Sequence, residues 1–208
     1  MTQKQKVVAH VAEMVQSLGV KSVRMDDVAA EMGMSKRTLY EMFSDKEELL
    51  YDSLAYLIDE RGRHLSEKTQ HCENMMEVLL VSVREMCGNG ISSELEQRLA
   101  YNLKKFHPAV YDRVRRYHSE RGLNGLKHAL DKCGAEGLLD PNADIELMAQ
   151  LFLMTMGVFV SNVDNTLPKN VSREEAFAVM IINFLRGLSS AKGLQVIDQI
   201  LARDRKKC

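Results

Sequence analysis

The chain has 208 residues, 45% hydrophobic and 27% charged, with 28 Lys and Arg against 29 Asp and Glu for a formal net charge of −1. That length allows one or two domains of ~100–200 residues, and the even charge balance excludes both a histone-like basic protein and an acidic disordered one. Only three prolines and twelve glycines punctuate it, too few for turn-rich β architecture, so an all-α fold is expected.

Val7, Val8, Val11, Met14, Val15 and Leu18 recur at three- and four-residue steps and predict a first helix ended by Gly19. A short second helix is expected from Asp26 to Met32, with two carboxylates in its first turn and Gly33 as its stop. Ser35 is placed to cap a third helix, Lys36 to Met42. Ser44-Asp45-Lys46-Glu47 has the form of a capping box for a fourth, which carries Leu50, Leu54, Leu57, Ile58 and Leu65 on one side. Further helices are expected over Glu73–Cys87 and Ser92–Phe106, then from Pro108, a good first helical residue, to Gly134 or Gly137. Asn142 is expected to cap a long helix to Val163, Ser172 to open another through Leu188, and a last helix to run from Leu194 to Arg203.

No apolar run approaches the ~20 residues needed to span a bilayer, and the amino terminus has no signal-peptide block. Cys72, Cys87, Cys133 and Cys208 form no C-x-x-C pair and no zinc spacing. They read as free thiols of a cytoplasmic protein, three packed and one on the tail. No membrane partner, metal site or cofactor is expected.

The informative stretch runs from Val28 to Phe43: two short helices around a turn containing Gly33, the helix-turn-helix arrangement. Ala29 is small enough for close helix approach, and Gly33 supplies positive φ at little steric cost. Val28, Met32, Leu39 and Phe43 are expected to bury against Val11, Met14 and Val15 of the first helix. The third helix then turns Lys36, Arg37, Thr38 and Tyr40 outward, and a helix of this diameter fits the DNA major groove. Arg37 suits a bidentate guanine contact, Thr38 a thymine methyl or a phosphate, and Tyr40 a phosphate. The bland reading is an ordinary helical hairpin. Net charge counts mildly against DNA binding, which usually goes with a basic excess: Lys4, Lys6, Lys21, Arg24, Lys36, Arg37 and Lys46 face Glu13, Asp26, Asp27, Glu31, Glu41, Asp45, Glu47 and Glu48 in the first fifty residues.

The run Ser22-Val23-Arg24-Met25-Asp26-Asp27-Val28-Ala29, then Met32 to Tyr40, Phe43, and Asp45-Lys46-Glu47-Glu48-Leu49-Leu50 resembles the signature of the tetracycline-repressor (TetR) family over about residues 8–54. The remainder matches only in length and helical layout. The resemblance implies a DNA-binding domain at residues 1–48 and a larger helical bundle at 49–208 for ligand binding and dimerisation. It also implies a homodimeric repressor released from its double-stranded DNA operator by a small-molecule effector. By position it places Ser35, Lys36, Arg37, Thr38 and Tyr40 on the DNA-reading helix, with Lys46 and Arg24 toward phosphates. Arg37 departs from the family pattern, where many members have Gly, and Met25-Asp26-Asp27 is more acidic than in some members.

One such motif makes few contacts, so two copies about one DNA turn apart, ~34–36 Å, are expected on a near-palindromic operator. Leu147, Leu151, Met154, Val158 and Val163 form one apolar stripe, and Phe177, Met180, Ile181, Phe184 and Leu188 form another. Alone, such stripes read as intrachain core; it is the family resemblance that implies an intersubunit four-helix bundle built from them. Met86 and Met154 suggest an adaptable, largely apolar ligand pocket, with Tyr101, Asn102, Tyr117 and His118 as polar anchors. The fourth helix would link pocket to DNA. An enzyme is not expected, because H-E-x-x-H, Gly-rich phosphate loops and G-x-S-x-G are absent. The competing reading is an architectural or protein-interaction role, or an activator, on the same scaffold.

Overall fold

The computed structural model describes the backbone of residues 1–88, 94–162 and 170–205, and side chains at 1–85, 98–155, 170–172 and 175–203. Regular structure among these residues is helical: α1 (Gln3–Leu18), α2 (Met25–Glu31), α3 (Lys36–Met42), α4 (Lys46–Thr69), α5 (Met75–Gly88), α6 (Glu94–Phe106), α7 (Pro108–Ala135), α8 (Ile145–Asn162), α9 (Arg173–Leu188) and α10 (Ala191–Arg205). The chain forms two compact units, Met1–His64 with Ser92–Ser119 and Leu65–Ile91 with Glu120–Cys208. The division falls inside α4 and inside α7.

In the first unit, Val7, Val11, Val15, Val28, Leu39, Phe43, Leu49 and Leu50 are sealed from solvent in one core. Leu103 of α6 and Val110 of α7 join it. The expected packing of α2 and α3 on α1 is present, with Met32 at the margin. Leu18 departs from the periodic stripe and stands 68% exposed. Thr2 and Gln5 make a reciprocal capping box at the start of α1. The box expected at Ser44 is shifted by one residue. Asp45 Oδ1 accepts the Glu48 amide at 2.8 Å, while Glu48 Oε2 accepts the Ser44 amide at 2.6 Å. A carboxylate beside the serine takes the capping role, and those bonds from Ser44 hold the Glu48 carboxyl below its usual range.

The second unit has its own core, in which Met76, Leu130, Cys133, Leu138, Phe177, Leu185 and Ile197 are deeply buried. α7 closes in a Schellman arrangement: Gly137, at φ 70°, donates to Gly134 O, and Leu138 donates to Cys133 O, both at 2.9 Å. The following segment meets the α9–α10 junction through an isolated antiparallel bridge between Leu139 and Ser189. Here Asp140 donates to Leu188 O at 2.8 Å and Ser190 donates to Leu138 O at 3.0 Å. α8 is capped by Asp144, whose Oδ1 accepts the Leu147 amide at 3.0 Å. Asn142, expected in that role, bonds instead to Asp140 in the preceding turn. Ser172 caps α9 as expected, accepting the Glu175 amide at 3.0 Å. Cys133 is buried and Cys72 half-buried, both as free thiols. Burial, and then Glu136, push the Cys133 thiol up to about 12. No described helix is long and apolar enough to cross a membrane.

Candidate nucleic-acid interface

The turn between α2 and α3 explains how α3 is presented. α2 ends in a Schellman motif, with Gly33 donating to Ala30 O at 3.1 Å and Met34 to Ala29 O at 2.9 Å. Gly33 has φ 62°, the left-handed region that costs an L side chain strain. Ala29 is buried beside it. Ser35 Oγ then accepts the Thr38 amide at 3.1 Å and pairs with Thr38 Oγ1 at 2.9 Å. Ser35 and Thr38 thus fix the start of α3, and the Thr38 hydroxyl is engaged there. The register buries Leu39 and Phe43 and leaves Lys36, Arg37 and Tyr40 outside. The Arg37 side chain is 89% exposed and Tyr40 is 50% exposed.

Two acids answer these cations. Lys36 Nζ lies 2.6 Å from Asp26 Oδ2 on α2, and Arg37 Nε donates to Glu41 Oε1 at 3.1 Å along α3. A second cationic point lies at the start of α4. Lys46 is half-buried, and its ammonium is lowered from the ordinary lysine range by desolvation and then by the Arg24 charge. Two positive groups 22 positions apart in sequence are thus brought within electrostatic reach, which favours an anion between or above them. Lys4 anchors the other side of α4 through Glu48 and Asp52. His107 Nδ1, at the entry to α7, sits 3.3 Å from Glu47 Oε1. The roles of Asp26 and Glu41 were missed because the sequence shows acids nearby without showing which cation they reach. The i,i+4 spacing of Arg37 and Glu41 was the available signal.

Tyr101 and Asn102 line an open cleft of about 560 Å³ with Leu18, Gly19, Val20, Lys21 and Arg98. Tyr101 and His118 are exposed. Tyr117 is half-buried, donates to Asp59 Oδ1 at 2.8 Å and meets Tyr51 edge-on. Met154, in the second unit, is 69% exposed rather than interior. The Met86 side chain lies outside the described residues.

The two apolar stripes divide differently from expectation. Leu147, Leu151 and Met154 form an exposed row on α8. Phe177, Ile181 and Leu188 are buried in the second unit's own core. Met180 and Phe184 are half-buried, and Phe184 stacks obliquely on Phe152 with centroids 4.6 Å apart. Val179, out of phase with the sequence stripe, is the exposed apolar residue on α9. The side chain of Val158 and residue Val163 lie outside the described residues. No three His, Cys, Asp or Glu side chains come together as a metal site among the described residues.

Residues 12–51, covering most of α1 through the start of α4, match the family model for bacterial regulatory proteins of the tetR family. Over these residues the chain is similar to the tetR family of bacterial regulatory proteins. The TetR-type fold extends over the rest of the chain. A TetR-family transcriptional regulator from Cytophaga hutchinsonii aligns with a TM-score of 0.64 at 16% identity, covering 89% of this chain and 94% of that one. A putative TetR-family regulator from Mesorhizobium loti gives 0.62 at 20% identity, with 90% and 97% covered. A putative transcriptional regulator from Saccharomonospora viridis, in complex with choline, gives 0.60 at 13% identity over 90% and 97%. Comparison with curated protein sequences gives no match. The matched segment contains the helix-turn-helix formed by α2 and α3.

Proposed function

We propose that this chain is a TetR-family regulator, a homodimeric repressor that holds a near-palindromic operator and releases it when a small, largely apolar effector binds. One observation carries the DNA half of this reading: Lys36, Arg37 and Tyr40 stand together, uncovered, on a helix whose opposite side is locked into the core. Arg37 is the base-reading candidate, since its guanidinium offers paired donors to guanine. Lys36 and Tyr40 flank it. Arg24 and Lys46 supply a phosphate contact, and Ser35 and Thr38 set the position of the reading helix. We assign operator binding to residues 1–48 and effector binding and dimerisation to 49–208.

The dimer reading is supported by the exposed row Leu147, Leu151 and Met154 and by Val179. An apolar row left on helices of an otherwise closed core suits a self-complementary contact. Effector release needs a coupling of only ~1–3 kcal/mol between the two binding events. The choline complex of the Saccharomonospora viridis protein supports a small-molecule site in this fold.

Selection of genomic fragments with the purified protein tests the reading directly. A short inverted repeat should emerge, and Arg37→Ala should weaken it by about 1–3 kcal/mol while sparing random DNA. No enriched repeat, or equal loss on every duplex, contradicts base reading by Arg37. Leu151→Glu should shift the sedimenting species from dimer toward monomer, and a wild-type monomer at micromolar concentration removes the dimer.

A further inference from the structure

The two strongest cations of the α3 surface are not idle in the free protein. Lys36 Nζ lies 2.6 Å from Asp26 Oδ2, and Arg37 is held by Glu41. The second pair lies within α3, at the spacing where any helix would form it. The first differs in kind, because it joins the reading helix to α2. Asp26 sits in the first turn of α2, where an acidic side chain suits the helix dipole. It is exposed, as is Lys36. The carboxylate therefore gains no burial, and its position beside Lys36 has an electrostatic consequence on a surface that must meet phosphates.

We propose that Asp26 is a positioning residue that sets DNA specificity, by acting as an internal counterion for Lys36. A free lysine meeting DNA neutralises a phosphate and releases a condensed cation, which drives sequence-independent binding. A lysine already held by a carboxylate exchanges one anion for another. Engagement also leaves the Asp26 carboxylate beside the DNA backbone. On a random duplex the exchange returns little. On the operator, base acceptors aligned with Lys36 and Arg37 make up the difference. The acid thus lowers binding to competing DNA more than binding to the operator. The even charge of the first fifty residues is consistent with this: the surface recognises DNA without being basic overall.

The inference rests on α3 meeting DNA. Fluorescence anisotropy with a random-sequence 20-base-pair duplex, over a series of salt concentrations, tests it without knowledge of the operator. Asp26→Asn should tighten binding about threefold at low salt and steepen the salt dependence by about one unit. Asp26→Ser, neutral and equally at home at a helix start, should do the same. Asp27→Asn removes the same charge one residue away and should do markedly less. In a Lys36→Ala background, Asp26→Asn should have no effect on the slope. Equal effects of the Asp26 and Asp27 variants, or an Asp26 effect that survives loss of Lys36, would overturn the counterion role and leave DNA binding intact. Absence of duplex binding by wild type and variants alike at low salt would overturn the DNA reading itself.

Discussion

Gly193 offers the sharpest test of how the second unit is held together. It lies in the first turn of α10, and a Cβ there would sit 2.0 Å from the Leu138 carbonyl oxygen and 3.0 Å from Ser189 Cβ. The oxygen is backbone, and it accepts the Ser190 amide at 3.0 Å. Ser190 Oγ in turn donates to Gly137 O at 2.8 Å and accepts the Gly193 amide at 3.1 Å. Making room for a methyl group requires about 1 Å of backbone movement, with strain of ~1–3 kcal/mol. One broken hydrogen bond adds ~0.5–1.5 kcal/mol, while the better helix propensity of alanine returns ~1 kcal/mol. Gly193→Ala should therefore destabilise by about 1–3 kcal/mol, lowering Tm by roughly 3–10 °C in a chain of this size. Gly122→Ala is the matched control. It lies in α7 with nothing within 4 Å of an added methyl, and should stabilise by about 0.4–1 kcal/mol. Thermal and urea denaturation followed by circular dichroism compare the two. If Gly193→Ala matches or exceeds Gly122→Ala in stability, the close contact between the Leu138 segment and α10 is wrong.

Lys46→Ala should flatten the salt dependence of operator binding by about one unit if Lys46 meets a phosphate, and an unchanged slope removes that contact. Glu48 contributes stability that is complete above its unfolded pKa and is lost as pH falls through its lower folded value. Glu48→Gln should therefore be destabilising near neutral pH, with the difference from wild type shrinking below pH ~4; a pH-independent difference refutes the link to Ser44. The Cys133 thiol, pushed up to about 12 by burial, should resist alkylation at pH 8 until urea unfolds the chain. Peptide-level mass spectrometry would show the contrary result as labelling of Cys133 in the native protein.

Local rules made much of the first unit legible. Gly19 and Gly33 stop helices because the stop needs a left-handed residue, and Ser35 caps because its oxygen reaches an amide three residues on. These contacts span a few residues, so residue order alone specifies them. Where two neighbouring side chains compete for one cap, order was insufficient: Asp45 caps instead of Ser44, and Asp144 instead of Asn142.

Sequence by itself determined the helical class, the helix-turn-helix and the outward row of Lys36, Arg37 and Tyr40. Tertiary structure alone decided that Phe177, Ile181 and Leu188 point into their own core while Val179 faces out. It likewise decided that Asp26 reaches Lys36, that Arg24 approaches Lys46, and that Gly193 has a carbonyl against it. A hydrophobic period reports that a helix has an apolar side, because the 3.6-residue turn is a local property. What covers that side, and which charge answers another across a turn, depends on segments far apart in sequence, and only folding brings them together.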